Sequence, residues 1–490
     1  MNEQAQYKKS FLIFLPLFII SMLPYFSTFW NIFSNDDWLL IYYYKDFPIF
    51  PPFKFFTNEV VWFYRPLQNL LLGLLYHTSA LNPLYYNLLD FFIFFLSSIL
   101  WFNFILRFFK TPAIALLSIT FFLFNWEYCE VIFWKSNLGT LLSWLGLILS
   151  LQFFYSYLTT DKKIYNILTT LSFIFALLSK ESSVIIPFIL FLIFLYLENE
   201  NSIFKLNKNI LLKGFKKCSI HFLILVIYLL LHHYWVKDIR TVSVKLYKFS
   251  SPLLVLKNFL FALNHCIFFF ADSPFIRELN PIWKFLRDKF LILPIIIFIY
   301  GLIKKDRIII FGMTLASLTL FPQILLEVFH SSRFYLVPIT GMSIVLAGLF
   351  LRSFIFLKDK DIPLLRISKL MLIIFAIFTL LSSQLSLYTM IAYENENMKI
   401  LGKIFDELKN NRNKFPEKSC FYFNVSESVS NNGLGLREMV KLALNSDAPE
   451  AFKIGQKVSE ERVKMIENEF PNKYNIYLDN KGGVIISKRK

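Results

Sequence analysis

The chain has 490 residues, of which 56% are hydrophobic and only 17% are charged. Soluble domains carry about 25% charged residues, so this composition excludes an ordinary water-soluble globule. The formal net charge is +17, but the lysines and arginines stand in short clusters between apolar runs rather than on one basic surface. That distribution indicates a membrane topology and argues against nucleic-acid binding.

Apolar runs long enough to cross a hydrocarbon core of about 30 Å recur through residues 1–393. The first, Phe11–Trp30, follows two lysines and has no small-residue cleavage site after it, which predicts a retained first helix with a cytoplasmic N-terminus. Residues 31–82 are rich in proline and aromatic residues and contain no clean span, which predicts a long first extracytoplasmic loop. Further spans are predicted at 83–106, 112–126, 138–158, 164–179, 182–197, 219–236, 289–303, 308–326, 335–351 and 370–389.

The charges between the spans set the orientation. Basic clusters at 107–110, 162–163 and 205–217 fall on the side of the N-terminus, as the positive-inside rule requires. Residues 254–271 are apolar enough to span, but counting them reverses every later loop. Treating them as an extracytoplasmic or re-entrant helix keeps the later clusters cytoplasmic. We therefore expect an all-α polytopic membrane domain of about eleven helices, with ten or twelve as alternatives.

The last part of the chain, 394–490, is far more polar and predicts a small soluble α/β domain on the extracytoplasmic side. Its predicted elements are a helix at Lys399–Asn410, a strand at Ser419–Val425, helices at Leu434–Leu444 and Glu460–Glu469, and two strands joined by the turn Asp479–Gly483.

Cysteine chemistry gives no signal. Cys129, Cys218, Cys266 and Cys420 have neither the spacing of metal ligands nor a paired pattern. They predict neither a zinc site nor a disulfide framework.

Two adjacent aspartates, Asp36 and Asp37, follow the outer end of the first span. A carboxylate at the membrane boundary is costly to desolvate and two neighbouring ones repel each other, so a raised pKa suited to accepting a proton is expected for one of them. The same pair equally fits a solvated loop start or a helix N-cap.

Three further outer turns carry charged residues. Arg65, in Tyr-Arg-Pro-Leu, fits either a phosphate clamp or an arginine that reaches lipid headgroups. Glu127 and Glu130 occupy the second outer turn, where an acid also fits a simply solvated position. Lys180 and Glu181 stand in a short connection on the side where the positive-inside rule disfavours lysine, so Lys180 is a candidate for holding an anion, with a headgroup contact as the alternative.

Arg333 and Tyr335 open the tenth predicted span in the run Ser-Ser-Arg-Phe-Tyr-Leu-Val-Pro. Each of these polar features could be incidental when taken alone. Their shared side is the informative observation, because one topology places all of them at the outer face of the membrane. The sequence therefore predicts one outer site.

These motifs occur in a recognisable order. The acidic pair is followed by Tyr-Arg-Pro-Leu, then Asn82-Pro83, then Glu130 with Trp134, then Leu-Leu-Ser-Lys-Glu, and finally Arg-Phe-Tyr-Leu-Val-Pro. The ordered set resembles the GT-C superfamily of integral membrane glycosyltransferases, in particular bacterial relatives of the protein O-mannosyltransferases. The resemblance covers about residues 11–200 and 308–350. The chain departs from it where Asn125-Trp126 replaces His-Pro, and at Asp90, where asparagine is common.

The resemblance implies transfer of a sugar from a polyprenyl-phosphate carrier to an acceptor hydroxyl on the outer face. It implies that an aspartate of the first outer loop is the general base, that a lysine contacts the carrier phosphate, and that an acid of the second outer loop orients acceptor or sugar. In this chain the expected catalytic residues are Asp36, with Asp37 in support, and the expected substrate-binding residues are Arg65, Glu130, Lys180, Glu181, Arg333 and Tyr335.

The expected partners are the lipid-linked donor, the bilayer, and an acceptor that is a glycan, a lipid or a protein. No nucleic acid and no cofactor are expected, although adjacent aspartates leave Mg²⁺ or Mn²⁺ open. The expected location is a bacterial cytoplasmic membrane. A transporter or flippase of lipid-linked glycans is the alternative, but such proteins place ionisable groups near the midplane and show internal repeats. A scaffold that presents the C-terminal domain is a third interpretation.

Overall fold

The computed structural model describes residues 3–34, 36–45, 64–198, 207–235, 251–270, 280–325, 332–358, 363–425, 435–453, 468–478 and 483–489. The first half of these residues is mainly helical. In chain order the helices are α1 Glu3–Met22, α2 Asp36–Lys45, α3 Pro66–Ser79, α4 Pro83–Phe109, α5 Pro112–Leu123, α6 Cys129–Phe133, α7 Leu138–Thr160, α8 Lys163–Ser179 and α9 Ile186–Glu198.

The second half continues with helices and ends in a small sheet. The helices are α10 Lys208–Trp235, α11 Pro252–Ile267, α12 Asn280–Lys289, α13 Leu293–Ile303, α14 Arg307–Ile324, α15 Leu336–Lys358, α16 Pro363–Asn410 and α17 Leu436–Leu444. The strands are β1 Ser419–Asn424, β2 Glu450–Lys453, β3 Asn472–Leu478 and β4 Val484–Lys488.

Local sequence explains where many helices begin. Proline occupies the first position of α3, α4, α5, α11 and α16, where its missing N–H would be unpaired in any case and its fixed φ suits the helix. Asn82 caps α4 by accepting from the Leu84 N–H, and Asp306 caps α14 by accepting from the N–H groups of Ile308 and Ile309.

Eight helical segments in the described part of the chain are long and apolar enough to cross a membrane, or nine if the bent pair α5–α6 is one span. The chain thus has the form of an integral membrane protein. The count of about eleven spans is not confirmed. Lys163–Ser179, Pro252–Ile267 and Leu293–Ile303 are shorter apolar helices; at about 1.5 Å per residue, the 11 residues of α13 extend for only about 17 Å.

Helix α7 lies at the centre of the membrane domain, with 83% of its apolar window buried inside the protein. Small residues let its neighbours approach closely. Gly146 of α7 faces Ala176 of α8, where an added Cβ would lie 2.7 Å from the alanine methyl group. Gly312 of α14 packs in the same way against the Gly341 carbonyl of α15. Such contacts are the usual basis of helix association in lipid.

One glycine brings α3, α7 and the end of α8 together. At Gly139, near the start of α7, an added Cβ would lie 2.7 Å from the Ser179 carbonyl oxygen and would collide with the Gln68 side chain. We expect Gly139→Ala to destabilise the protein by about 1–3 kcal/mol, because the end of α8 and Gln68 must both move. Thermal unfolding in detergent measures this effect. The matched control is Gly402→Ala, where the nearest atom to the new methyl is Ile32 at 3.6 Å; equal melting temperatures for the two variants would contradict the prediction.

The C-terminal sheet has the order β2-β1-β3-β4, with β1 parallel to β2 and β3, and β4 antiparallel to β3. The predicted strand after Ser419, the helix ending at Leu444 and the final hairpin are present. The short strand β2 was not predicted. The predicted helix Glu460–Glu469 and the turn Asp479–Gly483 lie largely outside the described residues.

Two further predictions, one near residue 394 and one for residues 31–82, need adjustment. The predicted separate helix Lys399–Asn410 is the end of α16, which runs for 48 residues without a break from Pro363. The predicted loop 31–82 contains the short helices α2 and α3. Neither is long enough to span a bilayer, with 10 and 14 residues.

The C-terminal domain packs directly against α2. The Trp38 ring stacks on Phe405 near the end of α16 at 5.2 Å between ring centroids, and both side chains are buried. At the rim, the Tyr42 hydroxyl donates to Asp447 at 2.9 Å. These contacts place the sheet on the same side of the membrane domain as the two aspartates at the start of α2.

Candidate functional site

Asp36 is the first residue of α2 and lies at the edge of a charged cluster. It is partly buried, and its Oδ1 atom is buried without a hydrogen-bond partner. Burial raises the pKa of Asp36, while the positive charge of Arg333 acts in the opposite direction. A buried carboxylate oxygen with no donor is able to accept a proton from an incoming hydroxyl group.

Asp37 has a different environment. Its side chain is buried, Oδ1 accepts from the Ser136 N–H at 2.7 Å, and Oδ2 accepts from the Ser34 N–H at 3.3 Å. The bond to Ser34, three residues earlier, has the geometry of a capping-box acid at the start of α2. Burial raises the pKa of Asp37 to about 7, against the influence of Lys135 and the two backbone donors. Asp37 therefore ties the start of α2 to the second outer turn.

Lys180 lies in the break between α8 and the next helical turn, and only 5% of its surface is exposed. Its ammonium group donates to the Thr140 hydroxyl at 2.6 Å and lies over the Phe334 ring. Burial, then the charge of Arg65, and to a smaller degree that of Arg333, lower the pKa of Lys180 to about 7, although Glu181 acts in the opposite direction. A buried lysine beside two arginines favours the binding of an anion at this position.

Arg65 and Glu181 form a two-pronged ion pair. Arg65 Nε donates to Oε2 at 2.9 Å and its Nη2 to Oε1 at 2.5 Å. This fork geometry holds the guanidinium in a fixed plane next to Lys180. It also joins the turn before α3 to the turn after α8, two segments separated by 116 residues in the chain.

Arg333 lies in the short 3-10 turn Ser332–Phe334 before α15. Its backbone N–H donates to Glu130 Oε2 at 3.4 Å, and its guanidinium lies over the Trp134 ring at 5.2 Å. Glu130 thus fixes the turn while the Trp134 face supports the cation, as aromatic faces do. Asp36, Arg65, Glu130, Lys180, Glu181 and Arg333 belong to one continuous group of contacts and electrostatic interactions.

Tyr335 belongs to a neighbouring group. Its ring stacks on His265 of α11 at 5.7 Å and an interplanar angle of 7°, and its side chain is buried. In its electrostatic surroundings are Glu127, Cys266 and Arg287. The structure therefore places Tyr335 on the side of α11 rather than next to Lys180.

Two charged residues at the site were not singled out by sequence reasoning. Lys135 pairs with Asp90 of α4 at 2.5 Å, with side-chain exposures of 5% and 3%, and its charge also acts on Asp37. Glu394 of α16 lies close enough to Glu130 for the two carboxylates to repel. Lys135 carries a weak sequence signal, a lone lysine in an outer turn, whereas Glu394 carries none.

The site lies where the apolar surface of α16 ends. Leu381 is exposed at 60%, Tyr388 at 61% and Tyr393 at 51%, and Glu394 follows directly. Exposed tyrosines between an apolar face and a charged one mark the headgroup level of a membrane. Glu394, with Glu130 beside it, therefore stands at the end of this exposed apolar surface.

Within the described ranges, no group of three or more His, Cys, Asp or Glu side chains is arranged to hold a metal ion. Both oxygens of Asp37 are already engaged by backbone N–H groups. The two adjacent aspartates are thus not arranged as a joint pair of metal ligands.

Neither the known protein-family models nor the curated proteins compared with this sequence give a match. The geometry of the site combines one buried carboxylate oxygen without a hydrogen-bond donor with three cationic side chains able to bind an anion.

Proposed function

We propose that this protein is a membrane glycosyltransferase of the GT-C type, which moves a sugar from a polyprenyl-phosphate carrier to an acceptor hydroxyl on the extracytoplasmic face. The observation that carries the proposal is the grouping of Arg65 and Arg333 around the buried Lys180, with the charge of Arg333 also acting on Asp36. Three cations are drawn from three separate turns, and Glu181 forms an ion pair with only one of them, Arg65, so an anionic ligand would further offset the cost of holding them together.

The reaction follows from these groups. The acceptor oxygen attacks the anomeric carbon of the sugar as Asp36 takes its proton, and the bond from that carbon to the phosphate oxygen breaks. The leaving polyprenyl phosphate gains negative charge, which Lys180 and Arg333 stabilise in a partly desolvated site. Attack from the side opposite the phosphate inverts the anomeric centre. The lipid chain of the donor reaches the site from the bilayer, which accounts for its level at the membrane boundary.

The supporting residues have structural roles in this scheme. Glu181 orients Arg65, Glu130 holds the turn that bears Arg333, and Asp37 anchors the start of α2. Each acts through another residue of the protein, so we class them as positioning residues.

A direct assay tests the proposal. Purified protein in lipid nanodiscs is incubated with a panel of polyprenyl-phosphate sugars, with and without a chelator, and with hydroxyl acceptors of the glycan, lipid and peptide classes. Release of free polyprenyl phosphate that depends on an acceptor is the expected result. Transport of intact donor across the membrane without release of carrier would instead support the flippase alternative. Two observations disfavour that alternative: the sequence shows no internal repeat, and the buried charges of Lys135 and Asp90 already neutralise each other.

The protonation of Lys180 gives this site a characteristic pH dependence. Its pKa is lowered to about 7 in the absence of ligand, and a bound phosphate would raise it again. Phosphate binding therefore takes up a proton above pH 7. We expect affinity for a short-chain polyprenyl phosphate to fall by up to about tenfold per unit between pH 7 and 9. Titration by calorimetry in detergent measures it.

Two variants of Lys180 serve as controls for that measurement. Lys180→Arg keeps a positive charge at every pH in the range, so binding should become nearly independent of pH. Lys180→Met should bind about 10- to 100-fold more weakly at pH 7, because a charged hydrogen bond is lost. An unchanged pH dependence in Lys180→Arg would remove Lys180 from the phosphate site.

A further inference from the structure

A second polar group adjoins the cationic site and is not used by the mechanism above. Glu127, in the 3-10 turn Trp126–Tyr128, is only 4% exposed, and its Oε1 has no hydrogen-bond partner. His265 of α11 lies beside it, with 3.5 Å between Nδ1 and Oε1, too far for a good hydrogen bond. Neither ring nitrogen of His265 has a hydrogen-bond partner.

Unpaired buried polar atoms are costly, so a pair of them requires an explanation. A carboxylate oxygen accepts, and an imidazole offers one donor and one acceptor when neutral. Together they complement a ligand that presents neighbouring hydroxyl groups. The side chain of His265 remains 14% exposed, although both of its ring nitrogens and Glu127 Oε1 are themselves buried.

The pair is positioned by rigid neighbours. The His265 ring contacts the Tyr335 ring, stacked at 5.7 Å, and the Phe261 ring at 4.4 Å. The preceding residue of α11, Asn264, donates to the carbonyl groups of Arg287 and Phe290 and so fixes α11 against α12. Aromatic faces beside a carboxylate suit a ligand with an apolar ring face and hydroxyl edges.

The two polar groups flank the same short segment. Arg333, which lies in the cationic site, and Tyr335, which contacts His265, are separated by one residue, so their Cα atoms lie within about 7.6 Å. Glu127 and Glu130 are also close in the chain, three residues apart, and Glu130 accepts a hydrogen bond from the Arg333 backbone N–H. A ligand with a phosphate at the cations would extend its next covalent group towards Glu127 and His265.

We propose that Glu127 and His265 form the subsite for the sugar of the donor, with Tyr335 supporting His265 and with the sugar hydroxyl groups bound at Oε1 and at a ring nitrogen. The inference rests on the proposed function, because it names the part of the donor that each group of residues binds. A site that hydrogen-bonds sugar hydroxyls leaves its own polar atoms unpaired when they are missing, so it discriminates strongly between sugars.

The test separates the phosphate from the sugar. Binding of a short-chain polyprenyl phosphate and of its glucosyl, galactosyl, mannosyl and N-acetylglucosaminyl esters is measured by calorimetry in detergent, for the full-length protein and for Glu127→Gln and His265→Gln. We expect at least one ester to bind more tightly than the bare phosphate. Each variant should lose about 10- to 100-fold of affinity for that ester, with affinity for the bare phosphate within twofold of the unmodified protein.

The bare phosphate also reports on folding, because its binding requires an intact cationic site. The matched control is Asp161→Asn, an exposed acid that pairs with Lys217 and should bind both ligands normally. If the unmodified protein binds no phosphate, the proposed function itself fails. If phosphate binds but no ester gains affinity, or if the two variants keep the full gain, Glu127 and His265 are a structural ion pair and the subsite assignment is overturned.

Discussion

Asp36→Asn is expected to lower the rate of sugar transfer by about 10²- to 10⁴-fold, the range that a positioned general base contributes. Asparagine keeps the size of the side chain but accepts no proton at neutral pH. The Oδ1 atom of Asp36 makes no hydrogen bond to the protein, so the substitution breaks no contact at that atom, and folding and membrane insertion should be unchanged. Initial rates of carrier phosphate release at saturating donor measure the effect.

Two comparison variants make this result specific to Asp36. Asp161→Asn changes an exposed carboxylate paired with Lys217 and should leave the rate unchanged. Asp37→Asn removes one of two acceptors used by backbone N–H groups, so it should lower the melting temperature, as expected for a positioning residue. Full activity in Asp36→Asn would eliminate the assignment of the base.

The pH dependence of the rate offers a second test of the same residue. Because burial raises the pKa of Asp36, this carboxyl group loses its proton at a higher pH than an ordinary aspartate. The base acts only when it is deprotonated, so the rate should rise with pH through the raised pKa. That acidic limb should be missing from the residual activity of Asp36→Asn.

The second large effect is expected at the ion pair of Lys135 and Asp90. Lys135→Met removes one partner of a pair in which both side chains are at least nine-tenths buried. The remaining carboxylate would stay buried without its counter-charge, which costs roughly 3–5 kcal/mol. A large fall in the melting temperature of the protein in nanodiscs is therefore expected.

The double variant decides whether the loss comes from the unpaired charge. Asp90→Leu combined with Lys135→Met replaces both ions by apolar side chains and should recover most of the lost stability. If the double variant is as unstable as the single one, packing around Lys135 rather than charge pairing explains the effect. Both variants also remove the positive charge that Lys135 exerts on Asp37, which links this ion pair to the site.

The elements that could be predicted from sequence share one property, a strong local pattern. Long apolar runs such as Pro83–Phe109 cannot be solvated, so they form helices wherever they lie. The strand beginning at Ser419 and the final hairpin follow from alternation and turn residues. The membrane character and the small C-terminal sheet were therefore accessible from the chain alone.

The predictions that are not confirmed or need adjustment concern the number of spans and the continuity of helices. The predicted spans 164–179 and 289–303 coincide with the helices Lys163–Ser179 and Leu293–Ile303, but these helices are short for a bilayer. Helix α16 is apolar in its first part and charged in its last part. This change in composition predicts two separate helices, but the backbone continues as one helix. Strand β2 has only four residues, too few for a pattern to form.

The sequence by itself determined which residue types stand at the ends of the helices that form the site: two aspartates, a Tyr-Arg-Pro-Leu turn, a Ser-Lys-Glu turn and an Arg-Phe-Tyr turn. Only the tertiary structure decided which partner each side chain contacts. One oxygen of Asp36 has no hydrogen-bond partner, whereas Asp37 accepts from backbone N–H groups. Arg65 pairs with Glu181, and Tyr335 stacks on His265. The physical reason is that hydrogen bonding and desolvation depend on neighbours distant in the chain, 99 residues away for Asp37 and Ser136 and 116 for Arg65 and Glu181, which no local pattern specifies.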